Sequence, residues 1–166
     1  MMVKIGFFFL VALTPALAQE SLILVVPDKI HYSEGLRVRQ NIKTECNLEL
    51  GLADHIAHQA SSVYREVHRE IPKGEGYHIL DMEITGAFGA GGGAWSGPKS
   101  VEVRGTLKDH KGQVLGTFTG HRYSMGGAFG GVMGTCKILK RCTRAIAKDI
   151  ALYLISPTRN AQLGDR

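Results

Sequence analysis

The chain has 166 residues, a formal net charge of +5 and 44% hydrophobic residues. That size suits one domain able to bury a real core. The basic excess is modest, and with no basic run or aromatic-basic interleave it argues against a nucleic-acid partner while favouring anionic surfaces in general.

In chain order, residues 1–18 read as an export signal. Lys4 supplies the positive start, Ile5 to Leu13 the short apolar run, and Ala16-Leu17-Ala18 the small-residue cleavage site. The apolar run is far short of the ~20 residues that span a bilayer. Cleavage after Ala18 is expected to release a periplasmic or secreted protein, with no transmembrane segment left and no cysteine placed for lipid attachment.

Ser21 to Val26 is a β-branched apolar run ending at Pro27, hence a buried strand. Residues 28–45 are mixed, with room for a short strand around Leu36 to Val38. From Asn47, which can cap a helix, Leu52, Ile56, Ala60, Val63 and Val67 recur at three and four residues and predict an amphipathic helix running toward Pro72. Leu80, Met82 and Ile84 alternate with polar neighbours, as do Val101, Val103 and Leu107, so two strands follow. Asp109-His110-Lys111-Gly112 reads as a hairpin turn into a fourth strand from about Gln113 to Tyr123, weakened or bulged at Gly116 and Gly120. Ile138, Leu139, Cys142, Ala145, Ile146, Ile150 and Tyr153 form the stripe of a last helix that Pro157 stops. Its other face carries Lys137, Lys140, Arg141, Arg144 and Lys148. That face reads first as solvated, and otherwise as a contact for anionic lipid or polymer.

The predicted fold is α+β: a β-α-β-β-β-α two-layer sandwich, with a mixed sheet and both helices on one face. Residues 19–157 form the single domain and 158–166 a disordered tail. A right-handed crossover and two hairpins send the carboxyl ends of the first, second and fourth strands to one edge. The glycine-rich segments Gly86–Gly97 and Gly126–Gly134, which share Gly-Ala-Phe-Gly, are expected there with both helix amino termini.

Three cysteines in an exported chain imply one disulfide and one thiol. Cys46 should lie near the start of the last helix, so Cys46–Cys142 is the preferred pair, with Cys46–Cys136 and Cys136–Cys142 as alternatives.

Glu45-Cys46-Asn47-Leu48, the stretch from Gly91 to Ser100, and Gly134 to Cys142 with Ala147 to Ala151 resemble an uncharacterised family of small secreted bacterial proteins. That resemblance implies export and a shared fold, and carries no catalytic residue across. The strand order also looks like the amino-terminal domain of the envelope protein TolB, an analogy of fold alone.

The candidate binding residues gather at the glycine edge: Trp95 and Ser96 in the first segment, Lys99 after it, His121 and Arg122 at the end of the fourth strand, and Thr135 at the last helix's start. The second segment lacks the lysine and spacing of a P-loop. His55 and His58 share a helix face without a complete ligand set, so neither metal nor cofactor is expected. No nucleophile elbow or paired-carboxylate signature points to catalysis. The sequence thus points to a non-enzymatic envelope module that binds a protein partner or anionic ligand through the glycine edge. A small hydrolase or inhibitor using His121 and a membrane-active glycine-rich protein are the other readings.

Overall fold

In a computed structural model of the protein, the described residues are 23–89, 97–124 and 134–165. The expected signal peptide lies outside them, as do Trp95, Ser96 and most of both glycine segments.

The chain runs β1 (Ile23–Val25), α1 (Gln40–Glu45), α2 (Leu48–Ala60), β2 (Glu66–His68), β3 (Tyr77–Gly89), β4 (Lys99–Asp109), β5 (Val114–Ser124), α3 (Thr135–Ile155) and β6 (Ala161–Gly164). One six-stranded mixed sheet has the order β2-β1-β3-β4-β5-β6. β1 is parallel to β2 and β3, β4 is antiparallel to both its neighbours, and β5 is parallel to β6. The fold is α+β, as the hydrophobic periodicity predicts. Leu80, Met82, Ile84, Val101, Val103, Leu107 and Phe118 close a core with Leu52 and Ile56 of α2 and Leu139, Ile146 and Ile150 of α3. Burying one such side chain is worth about 1.5–3 kcal/mol, so this layer of contacts is what holds the helices to the sheet.

Three local expectations are corrected. The stripe through Val63 and Val67 does not prolong α2 to Pro72: the hydroxyls of Ser61 and Ser62 donate to the carbonyls of His58 and Gln59, and Val67 instead pairs with Leu24 in the sheet. Leu36 to Val38 forms no strand, and the connection instead makes a single bridge between Tyr32 and Ile84 before α1. The end of the chain is not a disordered tail, because β6 pairs with β5 from Phe118↔Ala161 to His121↔Gly164. Its anchors are polar: Thr119 donates to Gln162 (2.7 Å), and the Asp165 N–H donates to the His121 carbonyl (2.8 Å).

The hairpin turn forms as expected, with Gly112 at φ 80° and the Asp109 carboxylate accepting from the N–H groups of Lys111 and Gln113. Asn47 opens α2, but through its left-handed backbone (φ 50°) and without a capping side-chain bond. β3 runs on through Gly86-Ala87-Phe88-Gly89, so the first Gly-Ala-Phe-Gly is the end of a strand and not a loop.

Candidate functional site

The sheet has two different faces. α2 and α3 cover one, and the other carries a grid of cross-strand polar pairs. Lys108 bonds Asp81 (2.8 Å), Arg104 bonds Glu83, and Thr119 bonds Gln162. These pairs leave the middle of the open face with its charges matched.

The upper end of that face differs. Phe88 pairs across to Ser100, and Ser100 to Tyr123, so Phe88 of β3 and Tyr123 of β5 stand in one row on either side of β4. Their rings are 54% and 50% exposed, a large apolar area left in water. Two strand spacings put them about 10 Å apart. One row below, His121 is opposite Glu102, with Nε2 3.9 Å from the carboxylate and its ring stacked near that of Tyr123 (centroids 6.1 Å). A shallow cleft of about 360 Å³ continues from there over Thr85, Glu102, Thr119, His121, Gln162 and Asp165.

This row lies beside the rim where both glycine segments join the described structure. Gly89 pairs with Lys99 and Lys99 with Ser124, so the flanks of both segments are adjacent. α3 starts at the same place: a β-carbon on Gly89 would come within 2.6 Å of Thr135 Cγ2 and 3.3 Å of Ile42 Cδ1, so only glycine lets the strand end, α1 and α3 meet. The disulfide fastens the same corner. It joins Cys46 to Cys136, not to Cys142, with the α-carbons 4.7 Å apart. Cys136 sits in the first turn of α3 opposite the α1–α2 junction. Cys142, six residues on, is turned toward the sheet, where its Sγ lies 3.8 Å from the Lys99 carbonyl. It is a buried free thiol whose pKa burial pushes up.

The expected binding residues divide accordingly. Lys99 is fully buried, and its ammonium donates to the Gly97 carbonyl (3.1 Å). Arg122 grips Asp149 with Nε and Nη2 (both 2.8 Å) and Asp165 with Nη1 (2.6 Å), a three-bond clamp joining β5, α3 and the end of β6. Both side chains are therefore occupied inside the fold. Thr135 is half-buried against Gly89, and His121 faces the open side. Trp95 and Ser96 lie outside the described residues. Sequence reasoning missed Phe88, Tyr123 and Glu102. For Glu102 and Tyr123 the signal was the period-two phase of β4 and β5; for Phe88 that phase misleads, because the pairing shifts between Ile84 and Gly86.

Among the described residues no three metal-binding side chains converge. His55 Nδ1 lies 3.3 Å from Thr143 Oγ1, which accounts for one member of the histidine pair on α2. No described helix is long and apolar enough to cross a membrane.

No family model and no curated protein matches the chain. Among solved structures it is similar to the PelC dodecamer of Paraburkholderia phytofirmans in two crystal structures. One, of a point variant, shows 17% identity over 81% of this chain and 88% of that one, with a TM-score of 0.49. The other shows 15% identity over 81% and 91%, with a TM-score of 0.48. Neither is a TolB-like module.

Proposed function

We propose that the chain is a periplasmic or secreted, non-enzymatic module that captures an envelope protein on the upper open face of its sheet and the adjoining glycine rim. The observation that carries this reading is the row of half-exposed residues, Phe88 and Tyr123, at the edge of a face whose central charges, Asp81 with Lys108 and Glu83 with Arg104, are paired. Aromatic anchors in a desolvatable setting supply most of the energy of protein contacts, and a paired polar surround excludes water at little cost. Trp95 belongs to the segment joining β3 to β4, outside the described residues. The disulfide, together with the apolar amino terminus, supports an oxidising compartment outside the cytoplasm.

The hydrolase reading is weaker. His121 and Glu102 are at 3.9 Å, outside hydrogen-bond reach, and the neighbouring Thr119 hydroxyl is donated to Gln162.

The test is capture from periplasmic extract by the tagged protein, with the bound protein identified by mass spectrometry. Phe88→Ser with Tyr123→Ser should abolish capture of that protein, and Trp95→Ala should weaken it. Far-UV circular dichroism and the urea midpoint should be unchanged, because both rings are already half in water. Undiminished capture by the folded double variant would refute the proposal.

A further inference from the structure

On the opposite side of the molecule α3 presents a different surface. Lys137, Lys140, Arg141, Arg144 and Lys148 are all exposed along its outer face. None of them makes an ion pair among the described residues, whereas Arg69, Arg104, Lys108 and Arg122 all do. The one acidic residue of α3, Asp149, is turned inward and held by Arg122. The field reaches α2: His55 is held below its ordinary pKa, first by burial and then by the Arg144 cation.

The same line of the helix changes character at its end. Leu152 and Ile155 are 62% and 66% exposed, one and two turns beyond Lys148. The stripe from residue 137 to 155 is thus a convex ridge about 27 Å long, basic for most of its length and apolar at the tip.

We infer that the outer face of α3 is a docking surface for an anionic phospholipid bilayer, on which the protein adsorbs without inserting. A convex cylinder meets a plane along its whole length, whereas a chain-like polyanion is held in a groove with stacked rings, and this ridge has neither. Juxtaposed cations attract an anionic leaflet additively, and exposed leucine and isoleucine enter the headgroup boundary. A smaller acidic protein would gain from the cations but leave the apolar tip unused.

The test is co-sedimentation of the purified exported protein with vesicles of phosphatidylcholine alone or with one part in three phosphatidylglycerol. Binding is expected only to the anionic vesicles and should disappear on raising salt from about 0.1 M to about 1 M, as the screening length falls from about 10 to about 3 Å. Arg141→Glu with Arg144→Glu should lower the partition coefficient on the order of a hundredfold. Leu152→Ser with Ile155→Ser should lower it less and leave more of the salt dependence. If the charge-reversed protein fails to fold, Lys137→Gln with Lys148→Gln makes the same test with smaller loss. Equal binding to neutral vesicles, no effect of charge removal, or binding to soluble polyphosphate but not to anionic vesicles would each overturn the assignment. Partner capture through Phe88 and Tyr123 is measured without lipid, so either idea can fail alone.

Discussion

Replacing Arg122 with methionine removes one cation from between two carboxylates that stay behind. Arg122, Asp149 and Asp165 have side chains 30%, 17% and 24% exposed, so the cluster is neither a surface pair nor a buried one. Exposed pairs contribute about 0–1 kcal/mol, and breaking a buried pair costs about 3–5 kcal/mol. Three short charge-assisted bonds at this intermediate exposure place Arg122→Met at about 2 kcal/mol of lost stability, or about 4–8 °C in Tm for a domain of this length. Urea unfolding read by circular dichroism measures the first, calorimetry the second. Asp149→Asn in the methionine background should restore part of the loss, since it removes the stranded charge, and the double-mutant cycle should show about 1 kcal/mol of coupling or more. Asp165 adds a pH signature. Its carboxyl is held below the usual range by the Tyr123 N–H and then by Arg122. Its folded pKa is thus the lower one, and its stabilisation is present above the unfolded value of about 3.9 and lost as pH falls through the folded one. A loss under about 0.5 kcal/mol with strictly additive effects would refute the clamp.

Three further outcomes follow from the packing. Cys46→Ala with Cys136→Ala opens a loop of sequence separation 90 and should cost roughly 4–5 kcal/mol in urea unfolding; non-reducing peptide mapping should recover Cys46 joined to Cys136, while Cys142 resists alkylation until the chain unfolds. Gly116→Ala places a methyl on the Tyr153 hydroxyl, which donates to the Thr158 carbonyl, and should cost about 1–3 kcal/mol, read by the urea midpoint. His78 bonds the Tyr64 hydroxyl at 2.7 Å and burial depresses its pKa, so the unfolded chain takes up its proton first: stability should fall as pH drops below about 6.5, and His78→Gln should flatten that slope in urea titrations across the range.

The parts of the fold legible in the sequence are those decided by local periodicity. Val101, Val103 and Leu107 announce β4 because one face is wholly buried, and Ile138 to Tyr153 announce α3 for the same reason. What escaped depends on partners far along the chain. β6 is four residues, Ala161 to Gly164, with no pattern of its own; it exists because β5 offers an edge and Arg122 holds Asp165. Arg122 reads as a ligand group until Asp149 and Asp165 are seen beside it, 27 and 43 residues away. The cysteine pairing turned on a rotation about α3 too fine for spacing alone: Cys136 faces the junction before α2, and Cys142 faces the sheet. Phe88 was obscured because glycine on both sides reads as loop, and because a bulge between Ile84 and Gly86 shifts the pairing by one residue, turning to the open face a ring that unbroken alternation would bury with Ile84.

The two surfaces also explain how the positive charge is spent. On the open sheet face opposite charges alternate across strands, Asp81 with Lys108 and Glu83 with Arg104, which lowers the cost of excluding water beside Phe88 and Tyr123. On α3 one sign runs unbroken, which attracts a distant plane of charge but hinders close protein packing. Because α3 packs on the covered face, a molecule adsorbed by its ridge presents the aromatic row away from the lipid. Salt separates the two: screening acts on the unpaired cations and barely on apolar burial. About 1 M salt should therefore release the protein from anionic vesicles while the partner taken from periplasmic extract stays bound, measured on one preparation by sedimentation and pull-down. Loss of both together would mean that a single charged surface serves for lipid and partner alike, and that the division between faces is wrong.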